Sequence, residues 1–378
     1  MGELSGVAPG AGLTVYVGVG PRGGGIHRLV LDRATGRLIL RDVAEEQSPG
    51  WLALDSRQGA LYAGLGGNRL GGWRIDRETG KLHKRNARPT GTGGFAHISI
   101  DPNDSMVMGA SYGGGTVGVH PILAPGEVGE SSCIVQHEGD PGPAQPDQSQ
   151  ARPHQVPLDP AGRWAVVNDL GLDRVYVYRA DAQGKRLVPN DPPYVQGAPG
   201  RGPRHGAFHP SGRWYYVINE LDSTMTAFAW DGEKGTLREL QNVTTLPEGW
   251  QGSRWSAQVV VHPDGRWLYG SNRDANGDKR RRGIGTAFIA EDDIVVYEID
   301  QRSGQLITVG HHEAGGKNPR NFNVEPSGQF LLCAHQDSDT IVVFRIDQDT
   351  GKLVPTGHDP LEIGTPVCVR FALDVGVS

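Results

Sequence analysis

Apolar and polar residues alternate along the chain with the two-residue period of β-strands, and no segment has a helical period. An apolar strand that ends in a turn such as His-Pro-Ser-Gly or Asp-Pro-Ala-Gly is followed by a second apolar strand in one unit after another. The second strands are LTVYVGVG from Leu13, ALYAGLG from Ala60, MVMGASY from Met106, WAVVNDL from Trp164, WYYVINEL from Trp214, WLYGSNR from Trp267 and FLLCAHQ from Phe330. The pattern therefore predicts seven repeated units of about 50 residues each.

Each unit continues beyond its second strand. A third strand, such as RVYVYRAD or DIVVYEID, follows a short loop, and turns such as Thr-Gly-Lys-Leu and Ser-Gly-Gln-Leu lead from it into a fourth strand. Seven units of four short antiparallel strands are typical of a β-propeller, whereas a sandwich does not repeat so evenly. We therefore predict an all-β, seven-bladed β-propeller with four antiparallel strands in each blade.

The two ends of the chain are predicted to share a blade. The last first strand, VCVRFALD near the C-terminus, has no second strand after it. The N-terminal strand LTVYVGVG can complete that blade, so the ring closes by pairing of the N- and C-terminal strands and leaves no open sheet edge. The predicted limits are an N-terminal extension at 1–12, a single propeller domain at 13–374 and a C-terminal tail at 375–378.

The hairpin GPRHGAFHPSGRWYYVINE, residues 202–220, predicts a charged cluster at one face of the propeller. Its turn is near Ser211 and Gly212, so Arg204 and Glu220 lie about eight residues away on the two arms and should meet at the open end. Since all first strands begin and all second strands end at this same face, other blades add polar residues to it. They are His97, Tyr112, His154, Asp169, His205, Arg273, Arg320, His335 and Gln336.

Three long irregular loops fall at the same face. They are GDPGPAQPDQSQ before His154, LPEGWQGSRW before Ser256 and DANGDKRRRGIGTAFIAED after Arg273. Ligands of propellers bind at the mouth of the central channel, on loops and strand ends that a rigid scaffold holds. We therefore expect a binding site at this face, with the insertion at 274–292 above it. The basic run at 279–282 is either a solvated loop or a group that attracts an acidic substrate.

Composition and charge narrow the kinds of partner. The chain of 378 residues has a formal net charge of −6 and lacks the basic excess of a nucleic-acid or anionic-membrane surface, so we expect a small-molecule partner. Its three cysteines have no CxxC spacing, which predicts buried, reduced thiols. The N-terminus lacks the features of a signal peptide, and no run approaches the length of a membrane span. We expect a cytoplasmic monomer.

Five stretches in order resemble the β-propeller lactonase family, which includes one type of bacterial 6-phosphogluconolactonase and the fungal 3-carboxy-cis,cis-muconate lactonising enzymes. They are AHISID with GASYGGGTVGV, PHQVPLDPAGRWAVVNDLGLDRVYVY, GPRHGAFHPSGRWYYVINELDSTM, RWSAQVVVHPDGRWLYGSNR and NPRNFNVEPSGQFLLCAHQDSDTIVVF. The resemblance implies an active-site set of His154, Arg204, Glu220 and Arg273. The chain departs from the shorter bacterial form in the insertion after Arg273 and the Pro/Gln-rich loop before His154, both at the rim.

Each candidate has a structural alternative. Arg204 and Glu220 could form a purely structural ion pair, and His154 could be a neutral histidine that caps a loop. Asp169 could orient the His154 imidazole or could stabilise an Asp-Leu-Gly turn. We place five more residues below the first four, as groups that line the channel and contact substrate: His97, Asp169, His205, Arg320 and His335. No HxH or HExxH spacing occurs and the arginines would repel a cation, so we expect neither a metal nor a cofactor.

These residue types suit the opening of a lactone. The reaction needs an activated water, stabilisation of an oxyanion and a proton for the leaving alkoxide. Either Glu220 or His154 could be the base, with the other as proton donor, while Arg204 and Arg273 hold the oxyanion and a carboxylate. No Ser or Cys lies in a nucleophile elbow, which favours direct attack by water. The sequence predicts a lactonase for an acidic sugar lactone, phosphorylated, uronic or aldaric; a carboxymuconate cycloisomerase and a non-catalytic scaffold are the alternatives.

Overall fold

The computed structural model describes residues 12–250, 254–274 and 292–372, and these residues form strands without a helix. Seven sheets of antiparallel strands form, each with a first, second, third and fourth strand. The first strands are β4 (Leu52–Leu54), β8 (His97–Ile100), β13 (Pro153–Gln155), β17 (Pro203–Phe208), β21 (Arg254–Val261), β25 (Pro319–Val324) and β30 (Pro366–Phe371). The second strands are β5 (Ala60–Leu65), β9 (Met106–Ser111), β14 (Trp164–Asp169), β18 (Trp214–Asn219), β22 (Trp267–Asp274), β26 (Phe330–His335) and β1 (Gly12–Val19).

The outer strands complete each blade. The third strands are β6 (Arg69–Ile75), β10 (Thr116–Ala124), β15 (Arg174–Asp181), β19 (Thr224–Asp231), β23 (Asp293–Ile299), β27 (Thr340–Ile346) and β2 (Gly25–Asp32). The fourth strands are β7 (Leu82–Pro89), β12 (Cys133–Gln136), β16 (Arg186–Gln196), β20 (Thr236–Thr244), β24 (Leu306–Glu313), β28 (Leu353–Pro355) and β3 (Leu38–Glu45). Two short strands, β11 (Glu127–Val128) and β29 (Leu361–Glu362), pair with β10 and β27. We name the blades A to G by their first strands, in the order β4 to β30.

The first strands lie at the centre of the ring. Each contacts the first strand of the next blade, from β4 through β8, β13, β17, β21, β25 and β30 back to β4. The second strands β5, β9, β18 and β26 are buried along their whole length, because neighbouring blades cover both faces of each sheet. The fourth strands, such as β3 and β7, are largely exposed. The predicted seven-bladed propeller is confirmed.

The ring closes as the sequence predicts. Strand β30 pairs antiparallel with β1, with Val17 opposite Val369, so that blade G contains both ends of the described chain. Val15, Val17 and Val369 then pack with residues of blade F in one buried cluster. Strand β1 already begins at Gly12, and the rest of the predicted N-terminal extension and the predicted tail lie outside the described residues.

The cysteines and the absence of a membrane-spanning helix among the described residues can be compared with the sequence-based predictions. All three cysteines are free, and Cys333 and Cys368 are buried as predicted, whereas Cys133 on the outer strand β12 is only half-buried. A search of the described residues finds no helix with the length and apolar character needed to cross a bilayer.

Candidate functional site

In four blades the first strand begins with a proline and carries a β-bulge at the next residue. In blade D, Pro203 pairs with Asn219 but His205 pairs with Ile218, so Arg204 is an extra residue without an opposite partner. The same shift leaves His154 extra in blade C, Arg320 extra in blade F and Val367 extra in blade G. A bulge redirects a side chain out of the regular alternation of a strand. The three polar residues, His154, Arg204 and Arg320, thus have equivalent backbone positions at the face where the first strands begin.

Glu220 lies at the centre of an ion cluster formed by two blades. Its Oε2 is 2.8 Å from Nε of Arg204, and its Oε1 is 3.0 Å from Nη2 of Arg273. Arg204 also donates through Nη1 to the carbonyl of Ala257, and Arg273 donates to the carbonyl of Ser256 at 3.2 Å. The pairing of Arg204 with Glu220 that the hairpin predicts is therefore present, and Arg273 binds the other oxygen of the same carboxylate.

The electrostatics of this cluster keep Glu220 ionised. Its side chain is only 14% exposed, and burial alone would raise the pKa of Glu220. The positive charges of Arg273, Arg204 and Arg320 outweigh burial and hold the pKa of Glu220 below its usual value. Three guanidinium groups around one carboxylate give the site an excess of positive charge, which suits an anionic ligand.

His154 lies beside this cluster and is neutral. Its ring is 5.3 Å from the ring of Tyr112 and 4.9 Å from that of His205, both in edge-on contact. Burial, together with the positive charges of Arg204, Arg320 and Arg273, lowers the pKa of His154 well below its usual value. Its Nδ1 is buried and has no hydrogen-bond partner among the described residues. The imidazole is therefore an uncharged group whose Nδ1 is left without a partner by the described residues.

Arg320 is the uncommitted cation of the site. Its positive charge lowers the pKa of Glu220, Arg204 and His154. Its guanidinium nevertheless makes no hydrogen bond or ion pair within the part of the chain that the structure describes. Burial and the positive charge of Arg273 lower the pKa of Arg320 to about 10, which still leaves it charged at neutral pH. An oxyanion placed beside Glu220 would find this guanidinium free to bind it.

Tyr112 belongs to the same cluster, although the sequence-based choice of site residues omits it. It follows β9 directly, as Glu220 follows β18. The Arg152 guanidinium lies over its ring at 4.7 Å, and His154 contacts its edge. Burial and the charge of Glu220 raise the pKa of Tyr112, so its hydroxyl is protonated and can donate a hydrogen bond. The equivalent positions of Tyr112 and Glu220 after second strands are the signal that could have identified it.

His97 and His205 form a layer one residue deeper in the channel. His205 lies 6.2 Å from His97 between ring centroids, and Trp51 contacts both, at 4.5 Å from His97 and 5.1 Å from His205. Nδ1 of His205 is hydrogen-bonded to Gln258. Burial and nearby positive charge lower the pKa of both histidines well below its usual value. They line the floor beneath the charged cluster, as neutral groups.

Asp169 does not contact His154 in the structure. Its Oδ2 is 2.6 Å from Nδ1 of His137, whose Nε2 is 2.9 Å from the hydroxyl of Tyr178. Its Oδ1 accepts the backbone N–H groups of Arg152, Gly171 and Leu172 at 2.8, 3.0 and 3.2 Å. The turn-stabilising alternative for Asp169 is therefore the observed one, and its full burial gives no support to a substrate contact.

His335 is the other candidate that lies apart from the cluster. It is fully buried and packs against Gly316, where an added Cβ would lie 2.6 Å from the His335 ring. Burial lowers the pKa of His335 to about 4. Its full burial and its packing against Gly316 favour a structural role.

No group of three or more His, Cys, Asp or Glu side chains within 12–250, 254–274 and 292–372 could hold a metal ion. Most of the insertion at 274–292, with the basic run at 279–282, lies outside the described residues, as do 251–253 of the loop before Ser256.

Comparison with known proteins gives one family for nearly the whole chain. The sequence profile of the family described as "Lactonase, 7-bladed beta-propeller" matches residues 14–371. The chain is 29% identical over 366 residues to the 6-phosphogluconolactonase of Bacillus subtilis (strain 168), with 94% of this chain and 97% of that protein covered. It is 34% identical over 298 residues to the 6-phosphogluconolactonase of Pectobacterium carotovorum subsp. carotovorum (strain PC1), with 79% and 80% covered.

A solved lactonase structure has the same fold as this chain. The periplasmic gluconolactonase of Pseudomonas aeruginosa superimposes with a TM-score of 0.85 at 29% sequence identity, over 96% of this chain and 99% of that chain. The ring of seven blades and the strand order within them are thus shared with an experimentally determined lactonase structure.

Proposed function

The chain belongs to the family of seven-bladed β-propeller lactonases, and from this premise we propose that it opens an acidic sugar lactone at the cluster around Glu220. The observation that carries the proposal is the pairing of one carboxylate with two buried arginines, next to an uncommitted arginine and a neutral histidine. Similarity to proteins named 6-phosphogluconolactonase and gluconolactonase supports a sugar-acid lactone as the substrate class.

Arg320 is the proposed anchor for the acidic group of the substrate. A phosphate or carboxylate can accept two parallel N–H bonds from a guanidinium, and Arg320 has no competing partner in the described residues. Arg204 and Arg273 are already fixed by Glu220, so their remaining N–H groups are preorganised to stabilise the oxyanion that forms on the lactone carbonyl. Glu220 thus acts as the carboxylate that holds two cations in place.

His154 is the proposed base. Its low pKa keeps the imidazole neutral at physiological pH, so it can take a proton from water while the water oxygen attacks the carbonyl carbon. When the ring C–O bond breaks, the imidazolium returns that proton to the leaving alkoxide, and the product is the open hydroxy acid. Glu220 is less well suited as the base, because two guanidinium groups engage its oxygens and lower its pKa.

His97, His205 and the Tyr112 hydroxyl are proposed to contact the hydroxyl groups of the substrate. All three lie against His154 or one residue below it. Neutral imidazole and phenol groups both donate and accept hydrogen bonds, which suits a polyhydroxylated ring. A cytoplasmic, monomeric enzyme without a metal or cofactor remains part of this proposal.

The test is a panel of lactones assayed with the purified protein against spontaneous opening in buffer. We expect acceleration with 6-phosphogluconolactone or with uronic or aldaric δ-lactones, weaker turnover of neutral gluconolactone, and no loss of activity with a chelator. Carboxymuconolactone in the same panel tests the cycloisomerase alternative, and failure of every substrate would favour the non-catalytic scaffold.

His154→Ala is the variant that tests the proposed base. We expect it to lower kcat by about 10²–10⁴-fold with a smaller change in KM, because a general base acts only in the transition state. His335→Ala is the matched control, because this histidine is also buried but lies apart from the charged cluster. Equal loss of kcat in the two variants would contradict the role proposed for His154.

A further inference from the structure

A left-handed residue precedes the third strand in several blades, and in two of them its side chain binds the next blade. Asp173, with φ of 53°, ends the turn between β14 and β15, and Asp339, with φ of 56°, ends the turn between β26 and β27. Ser223, with φ of 53°, has the equivalent position between β18 and β19. In Asp173 and Asp339 the side chain at this position is a carboxylate that reaches across to the neighbouring blade.

Asp173 fixes the backbone that leads into blade D. Its Oδ1 accepts the N–H of Gly202 at 2.7 Å and Nε2 of Gln148 at 2.8 Å, and its Oδ2 accepts the N–H of Gly200 at 2.7 Å. The Asp173 side chain is buried, so these three donors depend on it for their hydrogen bonds. Gln148 belongs to the long loop before His154, and Gly200 and Gly202 belong to the segment before Arg204.

Gly202, which Asp173 holds by a hydrogen bond, is connected to both arms of the charged hairpin. Its carbonyl accepts the N–H of Glu220 at 2.8 Å, and it is followed directly by Pro203 and the bulged Arg204. One carboxylate of blade C therefore fixes the point from which both Arg204 and Glu220 extend in blade D. A glycine suits this position because its φ is 65°.

Asp339 makes the same contact where no site residue depends on it. Its Oδ1 accepts the N–H of Thr365 at 2.7 Å, and Thr365 precedes Pro366 at the start of β30, as Gly202 precedes Pro203 at the start of β17. Strand β30 carries none of the residues of the proposed site. The chain thus contains two anchors with the same backbone contact, one before the charged hairpin and one before a strand without site residues. Asp339 differs in that it also pairs with Arg22 at 2.9 Å and its side chain is 44% exposed.

We propose that Asp173 is a positioning residue of the site, which sets the geometry of Arg204 and Glu220 through the backbone of Gly202. The role rests on the proposed lactonase function. Since the ion cluster acts through preorganised distances, a small displacement of its backbone should reduce turnover more than binding. A merely structural anchor would instead reduce stability alone.

The variants Asp173→Ser and Asp339→Ser test this role. Serine is accepted at the equivalent Ser223 with the same backbone conformation, so both variants should fold, while one shorter hydroxyl cannot replace the three hydrogen bonds that the two oxygens of Asp173 accept. We expect Asp173→Ser to lower kcat by about 10–10²-fold with little change in KM, and Asp339→Ser to leave kcat within about twofold, although both lower Tm. Asp173→Asn, which keeps one acceptor oxygen, should have an intermediate kcat.

Hydrogen–deuterium exchange of the substrate-free protein gives a second measurement that is independent of catalysis. Asp173→Ser should accelerate exchange at the amides of Gly200, Gly202 and Glu220, and Asp339→Ser should accelerate it at Thr365. Unchanged exchange at Gly202 and Glu220, or equal losses of kcat in the two variants, overturns the proposal. If the wild-type protein opens no lactone, accelerated exchange still supports the anchor and only the proposed function fails.

Discussion

The hairpins of blades D and F have the same backbone but different electrostatics. In blade D, the N–H of Glu220 donates to the carbonyl of Gly202 at 2.8 Å, and in blade F, the N–H of Gln336 donates to the carbonyl of Asn318 at 2.9 Å. Each hairpin begins with a proline followed by a bulged arginine, Arg204 in one and Arg320 in the other. The residue that follows the second strand is a carboxylate in blade D and a neutral amide in blade F.

This single difference separates a fixed arginine from an available one. Arg204 forms an ion pair with Glu220 and is 2% exposed in its side chain, whereas Arg320 makes no ion pair within the described residues. Repeated blades therefore give equivalent backbone positions, and the residue that follows the second strand decides whether the arginine there is held in an ion pair or has no ion-pair partner within the described residues.

Glu220→Gln makes the end of blade D resemble that of blade F and should have the largest effect. Arg204 and Arg273 would lose their common carboxylate, so we expect kcat to fall by about 10²-fold or more. Removing one partner from a buried ion cluster should also lower the free energy of unfolding by about 3–5 kcal/mol. Steady-state kinetics and denaturant unfolding measure the two effects.

Glu239→Gln is the matched control in the same blade. Glu239 pairs with Arg201 at 2.9 Å, and the Glu239 side chain is 38% exposed, so its loss should change stability by less than about 1 kcal/mol and leave kcat unchanged. Similar kinetic losses in the two variants would contradict the distinction between the buried cluster and an ordinary surface pair.

Gln336→Glu makes the reverse change and should have the second-largest effect. By the shared register, a carboxylate at 336 would pair with Arg320 and compete with the acidic group of the substrate. We expect KM for an acidic lactone to rise about tenfold, which corresponds to about 1.4 kcal/mol of binding free energy, with little change in kcat. Turnover of neutral gluconolactone should be nearly unaffected.

Gln305→Glu controls for the added negative charge. Gln305 is exposed in the turn before β24, so the same change in net charge occurs away from the arginines. A rise in KM in both variants would point to a general charge effect instead of a role for Arg320.

Arg320→Gln removes the proposed anchor and should raise KM for an acidic lactone, and it should also shift the pH profile of kcat/KM, which is the smallest of the effects considered. Because the pKa of His154 is held well below its usual value, the neutral base persists as pH falls, and the acidic limb of kcat/KM should lie below pH 6.5. Removing the positive charge of Arg320 should raise the pKa of His154 and move this limb to higher pH.

Arg345→Gln serves as the control for that shift. Arg345 lies on the third strand of the same blade, with its guanidinium over the Phe330 ring at 4.6 Å, and it is not among the charges that act on His154. An acidic limb near pH 6.5 in the wild-type enzyme, or equal shifts in both variants, would contradict the assignment of His154 as the base.

Much of the fold and part of the site could be predicted from local patterns. Strand alternation and recurrent turns predict seven blades, and the unpaired strand near the C-terminus predicts closure with Leu13–Val19, which the pairing of β30 with β1 confirms. Hairpin spacing predicts the contact between Arg204 and Glu220, since both residues belong to one local unit. The proposal for Asp169 and His154 lacked such a basis, and Asp169 instead bonds to His137.

The sequence by itself determined which residues reach the charged face, because strand period and turn position are local properties of the chain. Only the tertiary structure decided what they do there. The bulges that make His154, Arg204 and Arg320 equivalent depend on the pairing of whole strands, and the second ion pair of Glu220, with Arg273, joins two blades. The burial that lowers the pKa of His154 and the anchor that Asp173 provides likewise arise when neighbouring blades pack together, which no local pattern specifies.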